Sequence, residues 1–274
     1  MTISNKIKEC RLCPICGLPL LMNYPILDCY NNNTIWFLCK CGCLVNNESK
    51  VDKSFFNEEY RKVFKELKQV KSRSQYFMDM FLPLVEEITY GRKFLDVGFC
   101  EPYNIDYLEE RGWLTNGIDL LDNKYIKGDF ETHEFESFEQ YDFIYMGGMI
   151  ESFNYPVQAL EKAYKMLRNE GCLLITTPCA DSIFISGIKR FGHWNGKSSL
   201  CFFSKRKLLE ILQNIGYNVV VQRENYGQRF LTWNTVHILV QKFDKDIEEP
   251  DKVKPPVEKE EPLSVKINEP SPSK

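Results

Sequence analysis

The sequence predicts an α/β fold with a mostly parallel sheet, preceded by a small cysteine-rich module. Three observations predict it. Between residues 92 and 243, short apolar runs of strand character alternate with amphipathic helical stretches, the pattern of a sheet with helices on its faces. Several of those runs end in an acid or a glycine, where doubly wound sheets carry their ligand-binding residues. Seven of the 11 cysteines fall between Cys10 and Cys43, in a stretch with little else to build a core.

The cysteine-rich module occupies residues 1–50. Cys13-Pro14-Ile15-Cys16-Gly17 is a knuckle, in which a tight turn aims two thiolates at one point while backbone amides approach the sulfurs. A second pair, Cys39 and Cys41, is followed by Gly42 and Cys43. Together they resemble a zinc ribbon with Cys13, Cys16, Cys39 and Cys41 as ligands; Cys43 is the alternative to Cys41, and Cys10 and Cys29 are spare candidates. Four thiolates close the coordination shell, so the zinc is expected to be structural. A unit of about 35 residues needs such a staple to fold. The competing reading is a set of reduced thiols without metal. The module's expected role is docking of substrate or partner.

Residues 51–91 read as a helical linker. Tyr60, Phe64, Leu67 and Lys71 share one stripe, and Phe77, Met80, Phe81, Leu84, Val85 and Ile88 share a second, which predicts two helices. The α/β domain follows at 92–243. Strands are predicted at Lys93–Val97, Leu114–Ile118, Asp142–Met146, Cys172–Thr176, Asn218–Gln222 and Thr235–Gln241. Helices are predicted over Ile105–Arg111, over Val157–Leu167, and from the cap Ser204 to Gly216. Only eight positions separate Asp119 from Lys127, whereas a helical crossover needs roughly a dozen or more residues. The third strand is therefore expected to be short or displaced, with its helix missing. Period-2 spacing of Val236, Ile238 and Val240 marks the last strand as an edge or antiparallel one. From Asp244 the chain carries six of the 13 prolines and no aromatic residue, so residues 244–274 read as a disordered tail.

Four strand ends carry candidate binding chemistry. Phe94-Leu95-Asp96-Val97-Gly98 is an apolar strand ending in Asp-x-Gly, and a glycine there lets backbone approach a ligand. Some 20 residues on, a second strand is expected to end in an acid that binds ribose hydroxyls; Gly117-Ile118-Asp119 supplies it. Gly128-Asp129-Phe130 is a third acidic point, and Tyr141 to Gly147 is another strand entering a glycine loop.

Taken in order, these residues resemble the class I S-adenosylmethionine-dependent methyltransferase family. Phe94–Gly98 is similar to its first motif, Gly117–Leu120 to its ribose acid, Gly128–Phe130 to its adenine-side acid, and Tyr141–Phe153 to its fourth strand and following loop. Asn169-Glu170-Gly171 to Pro178 resembles the turn and fifth strand. Gly192–Asn195 through Phe202-Phe203-Ser204 resembles a stretch of the branch with quinone and sugar methyltransferases. The resemblance covers residues 52–243. It implies a seven-stranded Rossmann-like sheet and S-adenosylmethionine as cofactor, held by Asp96, Gly98, Phe99, Glu101, Asp119, Leu120, Asp129, Phe130 and Gly147.

Three departures stand out. The first motif reads Gly98-Phe99-Cys100-Glu101-Pro102, so two of its three glycines are replaced, and Pro102 fixes φ and removes an N–H donor. Glu101 is a candidate to face the sulfonium or amino group. The spacing after Asp119 is short. Glu151-Ser152 stands where relatives often have Glu-His, and Ser199 replaces another histidine. Of the three histidines, His237 reads as structural and His133 as solvated within an acidic run. His193, flanked by Gly192 and Trp194, is the candidate general base facing the acceptor. Trp194, Tyr226 and Trp233 are candidates to line an acceptor pocket.

The function expected is methyl transfer to a hydroxyl or amine of a small molecule or glycan. The tail holds nine acids and six lysines, leaving 29 residues of each sign in the body. A neutral body gives no electrostatic footprint for nucleic acid, so an enzyme on nucleic acid or protein, docked by the zinc ribbon, is the alternative. A non-catalytic relative with a decayed glycine loop is the third reading. No apolar run approaches the ~18 residues needed to span a bilayer, and the opening residues hold no apolar leader core. A cytoplasmic enzyme is expected.

Overall fold

A computed structural model describes residues 12–20, 25–27, 35–48, 50–66, 69–121, 124–182, 196–225 and 235–243. The tail from residue 244, together with Cys10, Cys29, His193, Trp194, Tyr226 and Trp233, lies outside the described residues.

The N-terminal strands β1 (Pro25–Leu27), β2 (Ile35–Leu38) and β3 (Leu44–Asn46) form an antiparallel meander. A 3-10 turn at Lys53–Phe55 and helices α1 (Glu58–Glu66) and α2 (Gln69–Ile88) follow. Then come β4 (Lys93–Val97), α3 (Tyr103–Glu109), β5 (Leu114–Asp119), β6 (Ile126–Lys127) and β7 (Tyr141–Gly147). A 3-10 turn at Ile150–Ser152 leads to α4 (Pro156–Met166), β8 (Leu167–Pro178), β9 (Cys201–Phe202), α5 (Lys205–Ile215), β10 (Tyr217–Asn225) and β11 (Thr235–Lys242).

Seven strands make one sheet in the order β10-β11-β8-β7-β4-β5-β6. Pairs from β8 to β6 are parallel, and β11 runs antiparallel to both its neighbours. This is a Rossmann-like sheet with one reversed strand. The central strands are buried on both faces, which is why they read as continuous apolar runs: six of the seven residues of β7 are buried. The last strand is antiparallel but interior, with all eight residues of β11 buried between β8 and β10. Its His237 is fully buried and bonds Thr176 Oγ1 at 3.0 Å and Thr235 Oγ1 at 3.2 Å.

The third strand is two residues long. Ile126 and Lys127 pair only with Ile118 and Asp119, the last two residues of β5. The chain therefore retreats by about two strand rises of ~3.3 Å before turning forward again, and no helix is needed. The fifth strand starts earlier than predicted: β8 follows α4 directly at Leu167, and Glu170 (φ 64) before Gly171 makes the turn. Helix α5 has its expected boundaries, with the Ser204 side chain accepting from the Lys207 amide and Gly216 (φ 119) ending it.

The N-terminal meander is completed from far along the chain. Strand β9 pairs with β3, Leu44 opposite Phe202 and Val45 opposite Cys201, giving a second sheet β1-β2-β3-β9. Trp36 of β2 stacks on Phe202 at 4.6 Å, both fully buried. The described residues between 12 and 243 belong to one compact unit.

Candidate active site

Sheet register lines up the candidate residues along one edge. Val97 pairs with Ile118 and with Met146, and Gly147 pairs with Thr176. Gly98, Asp119, Gly147 and Thr177 thus sit at neighbouring strand ends, about 5 Å per step. Asp119 pairs with Lys127, which brings Gly128 and Asp129 to the same edge.

The altered glycine loop keeps a glycine-like path. Gly98 (φ 68) and Cys100 (φ 54) both lie in the left-handed region, so Cys100 takes a conformation ordinarily left to glycine. A Cβ on Gly98 would overlap the Met149 sulfur. The Gly98 amide donates to Ile118 O at 2.8 Å, and the Cys100 amide donates to Asp119 Oδ2 at 3.1 Å. Pro102 is accommodated at the N-cap of α3, where its missing N–H has no helical partner to lose.

Two acids face this loop. Asp119 Oδ1 accepts from the Leu121 amide at 2.9 Å. Each Asp119 oxygen therefore has one loop donor and a lone pair left, a set suited to a vicinal diol. Asp96 is fully buried and accepts from Asn104 Nδ2 at 2.9 Å. Burial, reinforced by Asp119, pushes its carboxyl up to about 7 against that donation. Asn104 Oδ1 is buried without a hydrogen-bond partner. An orphaned acceptor beside a buried acid suits a donor-rich head such as an ammonium.

The remaining candidates are placed less directly. Phe99 packs on Gly117, where a Cβ would lie 2.6 Å from its ring, and meets Tyr125 edge-on at 5.5 Å. Glu101 pairs with Arg61 of α1 at 3.0 Å. Leu120 is half-buried after β5. Asp129 accepts from the Glu131 amide at 3.0 Å and faces Lys53 at 3.5 Å. Phe130 is buried against Phe153 and Phe135. Gly147 lies against the Tyr145 hydroxyl.

A cover with no signature in the sequence lies against these strand ends. Lys53 reaches Asp129, Glu131 at 3.0 Å and Ser152 O at 3.4 Å. The Tyr60 phenol is pushed above its ordinary value by burial and by the neighbouring Cys100 and Glu151. Together with Arg61, these side chains spread the Asp52–Glu66 stretch over the strand ends. No local pattern marks them, since their partners lie dozens of residues away.

On the other side of Gly147, Glu151 is 6% exposed and accepts from Thr177 Oγ1 at 2.9 Å. Burial pushes its carboxyl up to about 7. A buried carboxyl poised near neutrality can accept or release a proton. Its backbone carbonyl accepts from the Leu200 amide at 2.7 Å.

The cysteine cluster brings the Cys13–Cys16 turn, spanned by the isolated Leu12–Pro19 bridge, against the β2–β3 turn that carries Cys39 and Cys41. The sulfurs of Cys13, Cys16, Cys39 and Cys41 all fall within 4.8 Å of one another, and none is in a disulfide. Cys16 and Cys39 are 3.5 Å apart, close to the roughly 3.8 Å expected between thiolates on one tetrahedral zinc. Gly17 (φ 70) and Gly42 (φ 87) close the two knuckles. The proton-sharing contacts hold the Cys41 thiol far below its ordinary value and the Cys13 thiol far above. Four sulfurs so close cannot all ionise without a cation between them. Cys43 is fully buried beside Cys41 and accepts instead from the Ser204 amide at 3.4 Å.

Residues 68–222 match the family model described as a methyltransferase domain. The 1,6-didemethyltoxoflavin N1-methyltransferase of Burkholderia thailandensis, solved with 1,6-didemethyltoxoflavin and S-adenosylhomocysteine, is 12% identical with a TM-score of 0.54, covering 80% of this chain and 99% of that one. The PH0226 protein of Pyrococcus horikoshii OT3 is 14% identical with a TM-score of 0.50, covering 68% of this chain and 99% of that one. No curated protein matches the sequence.

Proposed function

The chain belongs to the class I S-adenosylmethionine-dependent methyltransferase family, and from that membership we propose that it methylates a hydroxyl or amine of a small molecule or glycan. When bound, S-adenosylmethionine supplies a methyl group on a sulfonium, open to in-line displacement. Asp119 grips the ribose diol, Asp96 with Asn104 Oδ1 receives the ammonium, and Gly98 leaves room for the backbone to approach. Asp129 marks the adenine side. Much of the acceleration then comes from holding acceptor and methyl group in line.

The observation that carries the acceptor class is Glu151. Its buried carboxyl, steadied by Thr177, can take the proton that a hydroxyl or an ammonium must lose. His193 is the competing base. Glu151→Gln and His193→Gln separate them: the base is the residue whose loss removes the acidic limb of the pH–rate profile. The four thiols Cys13, Cys16, Cys39 and Cys41 hold one structural zinc, and their free state suits a reducing, cytoplasmic setting. Among the described residues no helix is long and apolar enough to cross a membrane.

The test is calorimetry with S-adenosylhomocysteine. Micromolar binding is expected, weakened at least tenfold in Asp119→Ala, since a charged hydrogen-bond pair contributes about 1.5–3 kcal/mol. Absence of binding by the folded protein at millimolar ligand would sink the reading. A panel of hydroxyl and amine acceptors, with polynucleotides alongside, then tests the acceptor class; turnover on polynucleotide alone would overturn it.

A further inference from the structure

The segment 196–204 stands between the cysteine knuckles and Glu151, and both sides grip it. On the knuckle side, Asn46 is fully buried; its Nδ2 donates to Gly196 O at 2.6 Å and Ser199 O at 3.0 Å. Its own amide donates to Leu200 O at 2.8 Å. Ser204 donates through Oγ to Cys41 O at 3.2 Å and through its amide to Cys43 Sγ at 3.4 Å. A Cβ on Gly42 would come within 3.1 Å of that hydroxyl, so the second knuckle is seated directly on the Ser204 cap. On the catalytic side, the Leu200 amide donates to Glu151 O at 2.7 Å, and Phe203 O accepts from the Ala180 amide at 2.8 Å.

From this path we propose that the cysteine module is a metal-dependent brace for the acceptor side of the catalytic site, with Asn46 as its positioning residue. The proposal rests on the zinc and Glu151 assignments made above. A cation fixes the Cys39–Cys43 turn. That turn fixes Ser204 and, through β3, Asn46. These in turn hold Leu200 against the backbone of Glu151. The module would then shape the acceptor wall from within the same molecule. The contacts that Asn46 and Ser204 make across this path are buried hydrogen bonds, so loosening one end leaves donors or acceptors unpaired along it.

Hydrogen exchange on the full zinc-loaded chain tests this, with metal content and S-adenosylhomocysteine affinity measured on the same samples. Chelation is expected to raise exchange at residues 199–203 and around Glu151 at least tenfold. Added Zn2+ is expected to restore protection, while β4 and β7 stay protected and affinity changes less than threefold. Asn46→Ala, still metal-loaded, is expected to show the same local loss. Exchange rising only within residues 12–46 in both arms would overturn the brace, as would a chain that takes up no metal. Should chelation unfold the whole chain, the metal-loaded Asn46→Ala variant decides: unchanged protection at 199–203 overturns the proposal. Lost S-adenosylhomocysteine binding in the loaded wild type would instead strike the cofactor reading and leave the brace standing.

Discussion

Cys100 holds the glycine loop open at a cost a glycine would not incur. With φ 54 it sits where a β-carbon is unfavourable, by about 1 kcal/mol. Cys100→Gly is expected to raise stability by up to about that amount, measured by urea unfolding; a loss instead would show that the thiol has packing partners worth more. Two buried acids set the pH response. Asp96 and Glu151 ionise near 7 in the fold, against about 4 in an unfolded chain. Folding therefore takes up protons between those values. The stability they contribute is complete below about pH 4 and is lost as the pH rises through 7, on the order of a few kcal/mol. Asp96→Asn is expected to lose less stability than wild type between pH 5 and 8 in thermal scans; an identical slope would refute the shift. At this scale the strand-end placement of Gly98, Asp96 and Asp119 was legible, because strand-end acids and glycines recur in order. Asn104 was not, because a lone asparagine in the first turn of a helix carries no signal until its strand neighbour is known.

Six of the seven strands of the large sheet were legible from their residue runs, and the missing helix before β6 from counting residues. The two-residue β9 was not, because two residues have no periodicity and their partner β3 is remote. The cover was equally hidden. Its ion pair Arg61–Glu101 is about one-eighth exposed on each side, so it is worth more than a surface pair, roughly 1–2 kcal/mol. Arg61→Ala is expected to speed S-adenosylhomocysteine dissociation about tenfold in stopped-flow displacement. An unchanged rate would mean that α1 does not close over the ligand.

The N-terminal sheet and the catalytic sheet share one compact unit, and that ties their stabilities together. A chain beginning at Val51 would leave Phe202 without Trp36 and β9 without a partner, uncovering large side chains worth about 1.5–3 kcal/mol each. Such a chain is expected to bind the dye ANS and to melt at least 10 °C below the full chain, where an unchanged midpoint would make the module a free appendage. The same arrangement imposes a schedule on synthesis. Cys43 and Ser204 are 161 residues apart, so at about 5–20 residues per second the thiols leave the ribosome roughly 10 to 30 seconds before the strand that completes their sheet. For that interval the newborn chain carries an unfinished sheet edge and four closely spaced thiols, both exposed until β9 emerges.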